Sequence, residues 1–392
     1  MRVNTSSETQ ILAELDARTD VRLLDSEPLS AHTTLRLGGT PRAYLRAETT
    51  AAVAECVRAL DAAEVPVLVL GGGSNLVVAD GSVGDSVDDG ELDFVVVAVR
   101  CEAIDISPGG LVRAEAGATW DDLVARTVEA GMGGLECLSG IPGSVGATPV
   151  QNVGAYGVEV AQVLRRVRVL DRVSGKDEWL EPSELGLEYR TSKLKGNDSG
   201  LVLEVEFTLH PDGLSEPIAY RELAARLGAE QGERVPAAKA REVVLELRAG
   251  KGMVLDAGDH DTWSAGSFFT NPVVPAAEFD AVRAKVAKAL GDEAAEKMPA
   301  FDVMGGGSGE AGVKLSAGWL IERAGFRKGY PGEAAPMRLS TKHTLALTNR
   351  GHARTKDLIA LAREVRSGVE DAFGVTLHPE PVWVGCTLSG ES

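Results

Sequence analysis

The chain has 392 residues, 44% hydrophobic and 25% charged, which is the balance of a soluble globular protein of two or three domains. Its 58 acidic against 40 basic side chains leave a formal charge of −18, which argues against nucleic acid and anionic membranes as partners. No apolar run reaches the ~18 residues of a membrane span, and the polar opening Met1-Arg-Val-Asn-Thr-Ser-Ser-Glu8 lacks an apolar signal core, so a cytoplasmic location is expected.

In chain order, residues 1–22 read as a polar, partly helical lead-in and 32–47 as a strand pair around Gly38 and Gly39. Over 49–64, Val53, Cys56, Val57 and Leu60 recur at helical spacing. Val65-Pro-Val-Leu-Val-Leu70 is apolar and rich in β-branched residues, the pattern of a buried strand. It runs straight into Gly71-Gly-Gly-Ser-Asn75. A strand ending in a glycine turn is a common phosphate loop. Leu76, however, stands where the third glycine of G-x-G-x-x-G would fall, and no G-x-x-x-x-G-K-[ST] occurs, so neither a Rossmann nor a P-loop reading is supported. Residues 85–93, with Asp85, Asp88, Asp89, Glu91 and Asp93 around Gly90, read as an exposed loop. Strands follow at 94–99 and 111–116. Thr119 then stands as the N-cap of a helix with Asp122 three residues on, close to a capping box, and Trp120, Leu123, Val124 and Val128 make the buried face.

The densest signal is the run from Ser139 to Gly157. It has glycines at 140, 143, 146, 154 and 157, prolines at 142 and 149, and no charged residue. Glycine weakens helices and strands and proline removes a donor from both, so this is neither. It is also too apolar for a linker. Taken alone it reads equally as a tightly packed turn or as backbone shaped around a diphosphate. Strands at 163–171 and 201–209 flank a loop carrying Tyr189 and Arg190. After Pro211 helices dominate, at 220–227, 238–248, 279–290 (Phe279, Val282, Val286 and Leu290 on one face), 315–324 and 355–373. Short strands fall at 344–348 and 382–385. The charged, then glycine-rich stretch 291–310 reads as a mobile insertion. The second half is thus an α+β unit with its own core. The cysteines, Cys56, Cys101, Cys137 and Cys386, are far apart and read as free thiols; the six histidines show no metal-ligand spacing, so no metal is expected.

Seven motifs stand in one order: Thr33-Thr-Leu-Arg-Leu-Gly-Gly39, the two glycine runs, Tyr189-Arg-Thr-Ser192, Gly266-Ser-Phe-Phe-Thr-Asn-Pro272, Ala317-Gly-Trp-Leu-Ile321 and Pro379-Glu380. In these the chain resembles the UDP-N-acetylenolpyruvoylglucosamine reductases, flavoenzymes of peptidoglycan precursor synthesis, over residues 23–385. The resemblance implies an α+β fold: a two-lobed FAD-binding unit of the vanillyl-alcohol-oxidase (PCMH) type, with lobes over 1–100 and 101–213, then a substrate domain over 214–392 whose last strand returns to the active site. It implies that FAD is wrapped by Gly71, Gly72, Gly73, Ser74 and Asn75 and by Gly140, Ile141, Pro142, Gly143, Gly146, Ala147, Asn152, Ala155 and Tyr156. Relatives that attach the flavin covalently use His or Cys. Neither loop contains His, and Cys137 stands just ahead of the second, so the FAD is expected to be non-covalent.

The implied reaction reduces UDP-N-acetylglucosamine enolpyruvate to UDP-N-acetylmuramate. A hydride passes from NADPH by way of FAD to C3 of the enolpyruvyl group, and C2 takes a proton. Negative charge then grows on C2 and its carboxylate. By resemblance Arg190, Ser267 and Glu380 are the catalytic residues. A planar guanidinium matches a carboxylate turning into an enediolate, although an arginine in a loop is by itself more often a surface ion pair. Ser267 would protonate C2; alone it reads as a loop serine, and its weakly acidic hydroxyl needs a relay or a neighbouring cation. Glu380, held between Pro379 and Pro381, would be kept protonated by a nearby substrate carboxylate and so could donate a hydrogen bond. For the nucleotide sugar the resemblance offers Tyr220 as a lid, Arg248 and Lys251 as an R-x-x-K anchor, and Asn271. Here Lys251 is followed by Gly-Met-Val rather than Leu-Pro, and the segment to Ser267 is longer than in most of the family. A monomer is expected. Two other readings stay open: a flavoprotein of the same fold with a different substrate, which the tyrosine and R-x-x-K disfavour, and a non-catalytic nucleotide-sugar binder.

Overall fold

The computed structural model describes residues 5–81, 92–304 and 311–388. The acidic residues at 85–91 and the glycine stretch 305–309 lie outside the described residues. By packing, the chain divides into two compact units. The first holds 1–28, 40–73 and 91–254; the second holds 29–39, 74–90 and 255–392. Residues 214–254 pack with the first unit, and residues 29–39 and 74–90 with the second.

The first unit contains two larger sheets and a short ladder of Gly154–Ala155 with Val158–Glu159. One has four strands in the order Val21–Leu24, Pro41–Ala47, Leu92–Val99, Val67–Leu70. Leu92–Val99 is parallel to both its neighbours, with Leu45 and Val69 each opposite Val97. Val95, Val96, Val97 and Ala98 are all buried, which is why this strand reads as an unbroken apolar run rather than an alternating one. The helix Thr50–Ala62 has Val53, Cys56, Val57 and Leu60 buried, and its cap is set by Thr49, whose side chain accepts the Ala52 N–H at 3.0 Å.

The second sheet is antiparallel throughout, in the order Asp177–Leu180, Leu164–Asp171, Gly200–Thr208, Leu111–Glu115, Ile104–Ile106. Along Gly200–Thr208, Leu203, Val205 and Phe207 are wholly buried, and Phe207 meets Trp120 edge-on at 6.0 Å. The intervening Glu204 and Glu206 are buried under arginines of the neighbouring strands, Arg113, Arg166 and Arg168. Arg113 and Arg166 also lie over the Trp179 ring. The period of two thus sends one set of side chains to the core and the other to a paired charge lattice.

In the second unit, Val273–Pro275, Ala311–Leu315 and Ala300–Met304 form an antiparallel sheet with Ala311–Leu315 in the centre. The helix Thr355–Phe373 contributes Leu358, Leu361, Val365, Val369 and Phe373 to a core that includes Phe268, Phe269, Leu320 and Ile321. The last strand, Val382–Val384, pairs in parallel with Leu76–Val78, directly after the first glycine turn.

Three expectations are corrected. Residues 32–37 form no strand; Pro41–Ala47 pairs instead with Val21–Leu24, because the Thr33 hydroxyl turns the chain locally, donating to the Leu37 carbonyl and accepting the Leu37 N–H. Thr119 sits at the helix N-cap with extended backbone but makes no side-chain cap bond. Within the stretch read as a mobile insertion, Asp292–Glu296 is a helix and Ala300–Met304 a strand with a full ladder partner in Ala311–Leu315. Among the described residues no helix is long and apolar enough to cross a membrane, and no group of three His, Cys, Asp or Glu could hold a metal ion.

Candidate active site

In the first unit the two glycine runs touch backbone to backbone. A Cβ added at Gly72 would stand 2.5 Å from the Cα of Gly143, and one at Gly71 would stand 2.4 Å from Ser144 Oγ. Only glycine permits this approach. The Gly71 carbonyl accepts from Arg100 Nη1 at 3.2 Å, and the Gly140 N–H donates to Asp121 at 2.6 Å. Asp121 is itself clasped by both terminal nitrogens of Arg241. Burial pushes the Asp121 carboxyl up, but Arg241 and the Gly140 N–H outweigh it and hold the group below its ordinary range. No hydrogen bond to the N–H groups of Gly72, Gly73, Gly143 and Ser144 is formed among the described residues. Closely apposed glycine backbone with unpaired donors is what a flavin nucleotide's diphosphate requires, so these residues fit FAD. Ser74 and Asn75 continue the first loop in the second unit, where the Asn75 carbonyl accepts from the Val382 N–H at 2.9 Å.

Beyond Gly146 the long run has another use. Asn152 is buried, and its side chain bonds Glu159 at 2.9 Å, the Glu188 carbonyl at 3.2 Å and the Ala161 N–H at 3.1 Å. It therefore ties the run to the Arg190 turn and has its side chain engaged within the protein. Arg190 occupies the third position of a turn closed by reciprocal backbone bonds between Glu188 and Thr191. Its φ is +57°, a left-handed value that glycine would normally supply there. Its guanidinium donates to the carbonyls of Asn152 and Gly154 and lies 5.2 Å over the Tyr189 ring. A Cβ at Gly154 would stand 2.9 Å from Arg190 Nη1. Backbone strain retained under an arginine so firmly braced marks a residue whose direction matters.

Tyr156, Tyr220, Lys251 and Arg248 also come together in the first unit. Tyr156 meets Tyr220 edge-on at 5.4 Å, and Lys251 Nζ lies 6.0 Å from the Tyr156 ring centre. Tyr220 is exposed and immediately precedes the helix Arg221–Leu227. Arg248 is turned inward: it donates to the carbonyls of Gly140 and Met253, while its buried Nε has no partner among the described residues. Burial lowers its pKa from the ordinary arginine value. Lys251 is paired with Glu222 at 2.8 Å. Burial disfavours its charge, but Glu222 and Tyr156 outweigh that and raise its pKa. Glu222 thus occupies the Lys251 ammonium. Glu222→Gln is expected to tighten binding of a probe anion, inorganic pyrophosphate, about threefold, in line with the ~0.5–1 kcal/mol of a solvent-facing pair; titration calorimetry at low and high salt would show the gain shrinking with salt.

Ser267 and Glu380 belong to the second unit. The Glu380 N–H donates to the Phe268 carbonyl at 2.9 Å and the Thr270 N–H to the His378 carbonyl at 3.0 Å, so the two motifs lie on paired segments. Phe268 is buried against Phe269 and Trp383, with ring centres 5.1 and 6.1 Å away. This packing fixes the backbone beside Ser267. Asn271 Oδ1 accepts the Ala317 N–H at 3.0 Å, at the start of the helix Ala317–Arg323, and so joins two of the motifs. Sequence reasoning missed His343, whose Nε2 lies 3.4 Å from Ser267 Oγ. A lone histidine 76 positions away carries no local signal.

Residues 41–180 match the family described as FAD binding domain, and residues 258–384 match the one described as UDP-N-acetylenolpyruvoylglucosamine reductase, C-terminal domain. The chain is 59% identical over 375 residues to the UDP-N-acetylenolpyruvoylglucosamine reductase of Nocardia farcinica, covering 96% of this chain and 93% of that one. With the protein of that name from Mycolicibacterium smegmatis it shares 52% over 373 residues, covering 94% and 97%. Among solved structures it is similar to the UDP-N-acetylenolpyruvylglucosamine reductase of Thermus caldophilus, with a TM-score of 0.59 and 24% identity over 93% of this chain and 98% of that one. The fold is α+β, with an FAD-binding domain and a separate C-terminal domain. With identity this high over nearly the full length, the chain belongs to the UDP-N-acetylenolpyruvoylglucosamine reductase family.

Proposed function

We propose that this enzyme reduces UDP-N-acetylglucosamine enolpyruvate to UDP-N-acetylmuramate for peptidoglycan synthesis, with FAD as cofactor and NADPH as hydride donor, in the cytoplasm and as a monomer. The observation that carries the reading is the pairing of the Ser267 and Glu380 segments in a chain of this family. FAD would be held without a covalent bond by the residues of the two glycine loops. Burial pushes the Cys137 thiol well up, so the thiolate that could attack a flavin is suppressed. Two-electron chemistry at carbon is what FAD supplies when bound: hydride taken from NADPH and given to C3 of the enolpyruvyl group.

The chain's own residues supply position, charge and a proton. Arg190, already oriented by two carbonyls, would face the substrate carboxylate as it gains enediolate character; one such donor lowers a barrier by ~3 kcal/mol. Ser267 would give a proton to C2, and Glu380, protonated, would hydrogen-bond the carboxylate. Lys251, Tyr220 and Asn271 would bind the nucleotide sugar, with Arg248 supporting the glycine run beneath it. Lys251 and Arg190 would offset at close range the repulsion that a net charge of −18 exerts on an anionic substrate. The test is the visible spectrum of purified protein. We expect a yellow protein, bleached by NADPH without oxygen and recoloured by the enolpyruvyl sugar. Colourless protein, or a flavin that NADPH leaves oxidised, would sink the proposal.

A further inference from the structure

We propose that His343 is a positioning residue behind Ser267, a relay that returns a proton to the serine hydroxyl as that hydroxyl gives its own to C2. The inference rests on the proposed role of Ser267 and adds the group that makes that role feasible. Ser267 Oγ lies 3.4 Å from His343 Nε2, long for a hydrogen bond but in the range that catalytic contacts show before substrate arrives. The two segments are held in register on the far side, where the Phe268 N–H donates to the Leu345 carbonyl at 2.7 Å. The His343 main chain is fixed as well: its N–H donates to Oγ of the buried Ser340 at 3.2 Å, and its carbonyl accepts the Ala346 N–H at 3.1 Å. The ring is therefore presented to Ser267 from an anchored turn.

The charges around this turn have partners of their own. Lys342 pairs with Asp259 at 2.6 Å, Asp261 takes both the N–H and the hydroxyl of Thr341 and pairs with Arg350, and Glu322 accepts from the Thr344 hydroxyl. Glu380 lies on the segment bonded to Phe268. His343 is thus the ionisable side chain seen in direct contact with the serine oxygen.

An unassisted serine hydroxyl is far too weak an acid to protonate carbon at a useful rate. With imidazolium behind it the balance closes. The C2–H bond forms as the serine O–H breaks, a new O–H forms as the Nε2–H breaks, and the imidazole is left neutral until water returns its proton. Neither residue is oxidised or reduced, and Ser267 ends as it began.

The test uses FAD-loaded protein. In stopped-flow, His343→Ala should be bleached by NADPH at the wild-type rate but reoxidised by the enolpyruvyl sugar ~10²-fold more slowly. Added imidazole should restore much of that loss, which a purely structural histidine would not allow. In 15N NMR of the imidazoles, Ser267→Ala should shift the His343 ring signals, a readout that needs neither substrate nor a stable His343 variant. Wild-type reoxidation in His343→Ala beside a slow Ser267→Ala overturns the relay alone, as does a slow variant that imidazole does not rescue or an unmoved ring signal. Wild-type reoxidation in Ser267→Ala overturns the serine's role and the relay with it.

Discussion

Ser267→Ala is expected to slow reoxidation of the NADPH-reduced enzyme by the enolpyruvyl sugar by ~10²–10⁴-fold, the usual weight of a positioned proton donor. Bleaching by NADPH should keep its rate, because no proton reaches C2 in that half. The substitution removes one oxygen from a half-buried side chain whose contact with His343 is already long, so the fold should tolerate it. Stopped-flow absorbance of the two halves separates the outcomes. Equal loss in both would mean that the serine shapes the flavin site instead of serving the substrate, and the chemistry proposed here would have to be reassigned.

Gly72→Ala should abolish tight FAD binding. The new methyl would meet the Gly143 Cα at 2.5 Å, its carbonyl carbon at 2.8 Å and the Ser144 nitrogen at 3.1 Å, all main-chain atoms that cannot swing aside as a side chain can. Relief requires the two loops to part, and overpacking of this kind costs ~1–3 kcal/mol or more. Parting them would also misdirect the N–H groups suited to the diphosphate. The flavin absorbance per protein should fall to a small fraction of wild type and the melting temperature should drop. Gly109→Ala is the matched control, since a Cβ there meets nothing within 4 Å. Full flavin content in Gly72→Ala would detach the loop pairing from cofactor binding.

Much of the chain was legible because much of its folding information is local. Val53, Cys56, Val57 and Leu60 already draw one face of a helix, and the β-branched block at 65–70 does form a strand over Val67–Leu70, although at the sheet edge only Leu70 is fully buried. The glycine runs were visible for the same reason, but only half of their meaning was. Gly72 and Gly143 do make a tight backbone contact, whereas Gly154 and Asn152 are shaped by Arg190 and its turn. That difference depends on which segment packs against each residue. The misread stretches fail likewise. The region 292–304 looked like an insertion until its strand met Ala311–Leu315, and 32–37 looked like a strand until Thr33 bonded back to Leu37.

The sequence by itself determined the periodic helices and strands, the motif order that marks the family, and the residue types able to carry hydride-coupled proton transfer. Tertiary structure alone decided that Val382–Val384 lies beside Leu76–Val78, that residues 214–254 join the first unit, and that His343 stands next to Ser267. Periodicity and capping act over a few residues and leave a trace in composition. Pairings across tens to hundreds of residues are chosen only when buried faces and ladder bonds are satisfied together, and no single segment records that choice.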